Sequence, residues 1–196
     1  MPASPDAPHL LVGLGNPEPR YARNRHNLGF RVVDALGAQI GADWARKFDG
    51  ELGQAVIAGE KVLLLKPMTF MNRSGDSVAP TARFFKVPPS RVWVAHDELD
   101  LDFGRVQLKQ GGGTAGHNGL KSIAASLGSK DFGRLRLGIG RPPAGLDPAD
   151  YVLSDFTKSE EPEVAAEVEV AAAALTALVA EGIQKAMNQH NRREPS

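Results

Sequence analysis

Chemistry in this chain can begin at His26. It stands among Asn24, Arg25 and Asn27, shortly after a break at Gly13, Gly15 and Pro17. An imidazole titrates near neutral pH, so a neutral His26 can serve as a general base. A plain surface histidine is the simpler reading of that position. Asp97 is its candidate partner, because it closely follows the hydrophobic run 91–95. A carboxylate beside an imidazole fixes its tautomer and stabilises the imidazolium. A turn or cap carboxylate is the competing reading. Asn72 and Asn118 stand at expected helix starts. Asparagine is a favoured cap there, and a carboxamide can equally be aimed at a substrate carbonyl or an oxyanion. Asn16 lies on the same break as His26 and is expected to converge with it on one crevice.

Several chemistries fall away. There is no cysteine, so thiolate nucleophiles, zinc–thiolate sites and disulfides are excluded. No serine lies in a Gly-x-Ser-x-Gly frame, so a nucleophile elbow is absent. The attacking group in any hydrolysis is therefore expected to be water. Gly13-Leu-Gly15 begins a dinucleotide fingerprint but lacks its third glycine, because position 18 is Glu18. Gly111-Gly-Gly113 lacks the Gly-Lys-Ser/Thr ending of a phosphate loop. Glu98, Asp100 and Asp102 leave a divalent-ion site open, without the spacing of a calcium loop and with no His-x-x-x-His pair for zinc. With 23 basic and 23 acidic residues the net charge is zero, which removes bulk attraction to nucleic acid and leaves room for a local basic patch. Candidates for such a patch are Arg20, Arg23, Arg25, Lys109, Lys121, Lys130, Arg134, Arg136 and Arg141.

These residues need a scaffold, and the pattern supplies one. Residues 10–12 read as a buried strand that delivers Asn16. Phe30, Val33, Leu36 and Ile40 recur at helical spacing, and Gly41 ends the run. Residues 54–58 and 62–65 read as a strand pair turning at Gly59-Glu60. Residues 66–75 form a loop into a helix reaching about Phe85, with Pro80 inside it or near its start. Strands are expected at 91–95, 105–109 and 134–139, and a helix over 118–127. A long final helix is expected from Ser159 to about Asn188, with Ser159 as its cap. Alternating elements without repeat or linker predict a single-domain three-layer α/β/α sandwich with a twisted mixed β-sheet. The strand order stays open. A disordered tail is expected over 1–8, a catalytic domain over 9–190 and a polar tail over 191–196. The start of the chain has no signal-peptide pattern, and the apolar run 170–180 is shorter than the roughly 20 residues a bilayer needs. A reducing cytoplasm fits the absence of cysteine, and no membrane partner is expected.

The motifs taken together resemble the bacterial peptidyl-tRNA hydrolases. They are Val12-Gly-Leu-Gly-Asn-Pro17, Tyr21 with Arg25-His-Asn27, Lys66-Pro-Met-Thr-Phe-Met-Asn-Arg-Ser-Gly75, Val94-Ala-His-Asp-Glu-Leu-Asp-Leu101, Gly111-Gly-Gly113 with Gly116-His-Asn-Gly-Leu-Lys121, and Arg134-Leu-Arg-Leu-Gly-Ile-Gly140. The resemblance implies an enzyme that cleaves the ester joining a peptide to the terminal ribose of tRNA, freeing the tRNA for translation. It implies no metal, no organic cofactor and a monomer. His26 stands at the position of the family's base and Asp97 at that of its carboxylate partner. Asn16 and Asn72 are carried over with them into the catalytic set. Tyr21, Phe70, Asn72, His117 and Asn118 are carried over as substrate-binding residues. Lys109 and Arg136 align with the pair that holds the tRNA 5′-phosphate. The chain departs from the family pattern at Glu18-Pro19, Asn24, Thr114-Ala115 and Pro80. A non-catalytic RNA-binding module on the same fold is the alternative.

Overall fold

The computed structural model describes residue 4 and residues 6–191. Seven strands form one sheet: β1 His9–Gly13, β2 Asp43–Lys47, β3 Gly50–Ile57, β4 Glu60–Pro67, β5 Val92–Glu98, β6 Val106–Gln110 and β7 Gly133–Gly138. The helices are α1 Leu28–Ile40, α2 Gly75–Phe84, α3 Asn118–Leu127, α4 Pro148–Val152, α5 Glu161–Glu181 and α6 Ile183–His190. The strand order is β2-β3-β4-β1-β5-β7-β6. The middle strands β4, β1, β5 and β7 run parallel, and antiparallel strands close both edges.

Parallel strands covered on both faces read as continuous apolar runs, and here the alternation splits each run between two cores. Leu11, Val62, Leu64, Leu135 and Leu137 face α1, α5 and α6. Leu10, Val12, Leu63, Leu65 and Val94 face α2 and α3. The three-layer expectation is met. The β3–β4 turn falls at Ala58 and Gly59, one residue before the expected Gly59-Glu60, with both at positive φ, as a tight hairpin requires.

Four expectations need correction. The final helix is broken at Gly182, whose φ of +89° leaves helical backbone, so α5 and α6 are separate. Its start is set not by Ser159 but by the turn Thr157 closes with Glu160, the residue just ahead of α5. The Glu160 N–H donates to Thr157 Oγ1 at 3.2 Å, and the Thr157 N–H donates to Glu160 Oε1 at 2.8 Å, a reciprocal capping box. The N-terminal tail is shorter than 1–8, because Ala7 and Pro8 are buried and the Ala7 carbonyl accepts from Arg91. Residues 1–3 and 5 lie outside the described residues. Asn191 belongs with the domain as well: its side chain accepts from the Leu108 N–H and donates to the Leu108 carbonyl, both at 2.8 Å. The rest of that tail lies outside the described residues.

Candidate active site

Two parallel strands end side by side, and that places the chemistry. In the pairing of β1 with β5, Gly13 stands opposite Ala95, and the Leu14 N–H donates to the Ala95 carbonyl. Asn16 and Asp97 therefore leave the sheet at the same end, where open α/β sheets hold their ligands. Helix α1 must come very close for His26 to reach them. A Cβ on Gly13 would lie 2.2 Å from the Gly29 carbonyl oxygen, and one on Gly29 would lie 2.3 Å from the Ala95 carbonyl oxygen. Only paired glycines allow that approach. Asn27 ties the loop shut from inside: it accepts from the Asn16 N–H at 2.9 Å and donates to the Asn16 carbonyl at 3.0 Å.

His26 Nδ1 lies 3.0 and 2.9 Å from the two Asp97 carboxylate oxygens. A second imidazole shares that carboxylate, with His117 Nε2 2.9 Å from Asp97 Oδ1. The network dictates the tautomers. His117 caps α3 by accepting the Gly119 N–H on Nδ1, so its proton is on Nε2 and is donated to Asp97. His26 donates from Nδ1, which leaves the Nε2 lone pair toward the cleft. Asp97 is buried, which alone would raise its pKa, but the two imidazoles hold it well below the usual carboxylate range. Burial pulls the His26 imidazole down. The charge of Asp97 and its hydrogen bond outweigh that and leave His26 above its ordinary value. A third imidazole, His96, packs edge-on against His117 at 5.2 Å. Burial and the His117 ring hold it down to about 3, so it stays neutral.

A cleft of about 590 Å³ opens over this centre. Asn16, Asn72, Phe70, His117 and Asn118 line it together with His26 and Asp97. Asn16 uses its carboxamide oxygen to accept the Met71 N–H at 3.0 Å, so its NH₂ group is the part left for a ligand. Pro148, Ala149, Val152 and Leu153 form an apolar wall opposite. That wall is anchored through the loop beside His26. Arg25 donates to the Ser154 and Asp155 carbonyls and pairs with Glu160 at 2.9 Å, while Asn24 donates to Asp155 at 2.6 Å.

Tyr21 does not line the cleft; it sits on the neighbouring turn under the Arg20 guanidinium. Lys109 and Arg136 lie outside it on β6 and β7, and Arg136 reaches the site only through Glu98, a cleft residue 3.0 Å away. The acidic segment does not assemble an ion site of its own. Glu98 pairs with Arg136 and Asp100 with Arg141. Among the described residues the one group with donor atoms gathered within 4.8 Å is His26, Asp97 and His117. The cap reading of the asparagines also shifts: His117 caps α3, and Asn72 lies inside the short turn Met71–Arg73 ahead of α2. Of the basic-patch candidates, Arg25 and Arg134 are buried and bonded internally. The sequence reading did not single out Asn27 as a clamp or connect His117 to Asp97. The place of His117 just ahead of a helix signals a cap and not that contact.

Residues 10–196 match the family described as peptidyl-tRNA hydrolase. A relative of that name from Mycobacterium sp. (strain KMS) is 54% identical over 183 residues, covering 92% of this chain and 95% of its own. One from Mycolicibacterium smegmatis is 51% identical over 183 residues, covering 92% and 96%. The crystal structure of peptidyl-tRNA hydrolase from Acinetobacter baumannii superposes with a TM-score of 0.90 at 39% identity, covering 97% of this chain and 98% of that one.

Proposed function

The chain belongs to the peptidyl-tRNA hydrolase family, and from that premise we propose how its residues perform the reaction. The protein is an enzyme that hydrolyses peptidyl-tRNA and returns the tRNA to translation. The catalytic domain is taken as residues 7–191, the bounds that the buried Ala7 and the bonded Asn191 support. Nε2 of His26 removes a proton from water, and the hydroxide formed attacks the ester carbonyl. Asp97 stabilises the imidazolium that results, and His26 then returns the proton to the leaving ribose oxygen. The free NH₂ of Asn16 and the Asn72 carboxamide donate to the oxyanion. Base catalysis contributes roughly 10²–10⁴-fold, and one oxyanion donor about 10²–10³-fold.

His117 keeps a second hydrogen bond on Asp97 and, with Asn118 and Phe70, borders the space for the peptide. Tyr21 lies one turn away and is assigned to the approach of the substrate. Lys109 and Arg136 take the 5′-phosphate. The β6–β7 register supports that pairing: Lys109 stands opposite Arg134, so Arg136 is its diagonal neighbour, at roughly 7–8 Å. A substrate made on ribosomes argues for a cytoplasmic enzyme, and one complete site per chain for a monomer. Among the described residues no helix is long and apolar enough to cross a membrane.

The observation that carries this reading is the His26–Asp97 contact at the floor of a cleft lined by three carboxamides. Steady-state release of an N-acylated amino acid from tRNA tests it. His26→Ala is expected to lose most turnover while tRNA binding survives; undiminished turnover would reject His26 as the base.

A further inference from the structure

Three cations share one face of the β6–β7 pair and meet three different fates. Gln107 and Lys109 stand opposite Arg136 and Arg134, so all four side chains project on the same side. Arg136 gives Nε to Glu98 and Nη1 to Gln107, which among the described residues leaves Nη2 for a ligand. Lys109 has no carboxylate partner among the described residues and is exposed. Arg134 is buried, 2% exposed, and is also without a carboxylate partner. Like charges directly opposite one another in a sheet repel, and here the Arg134 guanidinium is spent on backbone carbonyls. Its Nη1 donates to the Lys130 carbonyl at 2.8 Å and to the Phe132 carbonyl, and its Nη2 donates to the Gly112 carbonyl at 2.9 Å. The guanidinium also stacks 4.0 Å from the centre of the Phe132 ring.

Gly112 is the link to function. It lies in the loop after β6 at a φ of +114°, and a Cβ there would be 3.0 Å from Lys109 Cε and 3.1 Å from Nζ. The Lys109 side chain therefore rests on the glycine that Arg134 holds. A second strut, the Gly111 N–H to the Phe132 carbonyl, fixes the same stretch. Beyond it the loop is open, with nothing within 4 Å of a Cβ placed on Gly113 or Gly116. A buried charge that bonds only carbonyls is tolerated when those carbonyls are fixed; by the same contacts it fixes them.

We infer that Arg134 is a positioning residue for phosphate recognition: by locking Gly112 it holds the Lys109 ammonium where a 5′-phosphate meets it. This rests on the reading of Lys109 and Arg136 as the phosphate pair. The test compares kcat/KM on N-acetylaminoacyl-tRNA with and without its 5′-phosphate, and on an N-acetylaminoacyl-CCA fragment that has no 5′ end. Wild type prefers the phosphorylated tRNA. Arg134→Gln reduces that preference by roughly tenfold, the scale of one charge-assisted contact, and leaves fragment turnover unchanged. Gly112→Ala puts a side chain where φ is +114°, so it unseats from outside the core the loop conformation that Arg134 holds and Lys109 rests on; it does the same and decides the matter should Arg134→Gln not fold. A wild-type preference kept by Gly112→Ala and by folded Arg134→Gln would overturn the role of Arg134. So would an equal loss on tRNA and fragment, which marks general damage. A wild type indifferent to the phosphate would remove the phosphate reading, and the inference with it.

Discussion

Asp97 and Glu167 are both buried carboxylates, on different elements of the same small protein, and they are held in opposite protonation states. Asp97, at the end of β5, is 4% exposed and meets two imidazole N–H donors at 2.9 Å. Glu167, on α5, is 1% exposed, and neither of its oxygens makes a well-formed hydrogen bond. Burial pushes the Glu167 carboxyl up to about 9, against the Gly104 backbone and with help from the Glu163 charge. The imidazoles drive Asp97 the other way. Burial penalises the charge at both places, and only partners decide whether the charge survives. The catalytic centre is therefore recognised by its donors and not by its depth.

Removing the charge of Asp97 breaks the comparison most severely. Asp97→Asn is expected to lower kcat by roughly 10²–10⁴-fold, the range of a general base deprived of its support. The pH profile supplies a sharper signature. Catalysis needs neutral His26, and Asp97 holds that imidazole above its ordinary 6.5. In wild type the acid limb of kcat/KM therefore falls above pH 6.5, and in Asp97→Asn it moves to lower pH. A limb that stays in place while the rate collapses would separate Asp97 from the titration of His26.

Glu167 tests the other half. Its folded pKa, about 9, stands above the ordinary 4.5. Between those values the folded chain holds a proton that the unfolded chain has lost. The contribution to stability is full below about pH 4.5 and is lost as pH rises toward 9, by up to about 1.4 kcal/mol per pH unit. Glu167→Gln keeps the shape and removes the titration. Urea unfolding at pH 5.5 and 8.0 is expected to show a smaller loss with pH in the variant than in wild type. Equal losses would mean that Glu167 is ionised in the folded protein.

The same contrast explains what the sequence made legible. His26 and Asp97 could be paired because one stands just ahead of a helix and the other at the end of a strand that the pattern marks, and strand ends in such folds converge. The reach of His117 to Asp97 was hidden, because it depends on where α3 docks. Glu167 was hidden among the glutamates of 160–169, since a weakly patterned alanine-rich helix does not declare its inner face. β2 carries no alternation to read, being exposed along its whole length, and α4 spans only five residues. The break at Gly182 was masked because apolar residues resume at Ile183, Ala186 and Met187 in helical spacing. Strand order depends on non-local pairing that no local period encodes.

The smallest expected effect bears on why Asp97 keeps its charge. Two imidazoles and a carboxylate with donor atoms gathered within 4.8 Å are also a plausible ligand set for a transition metal. A metal and two N–H donors would each hold Asp97 ionised, but they predict different chemistry. In the hydrogen-bonded arrangement His117 Nδ1 is engaged by the Gly119 N–H, Nε2 points to Asp97, and His26 keeps Nε2 for water. Metal ligation would instead replace the imidazole-to-carboxylate hydrogen bonds and deprive His26 of the proton that Asp97 orients. Turnover is therefore expected to be unchanged by a chelator selective for transition metals, which leaves magnesium on the tRNA. Loss of activity with chelator, restored by one added metal, would make the carboxylate a ligand and return the acid limb to a metal-bound water.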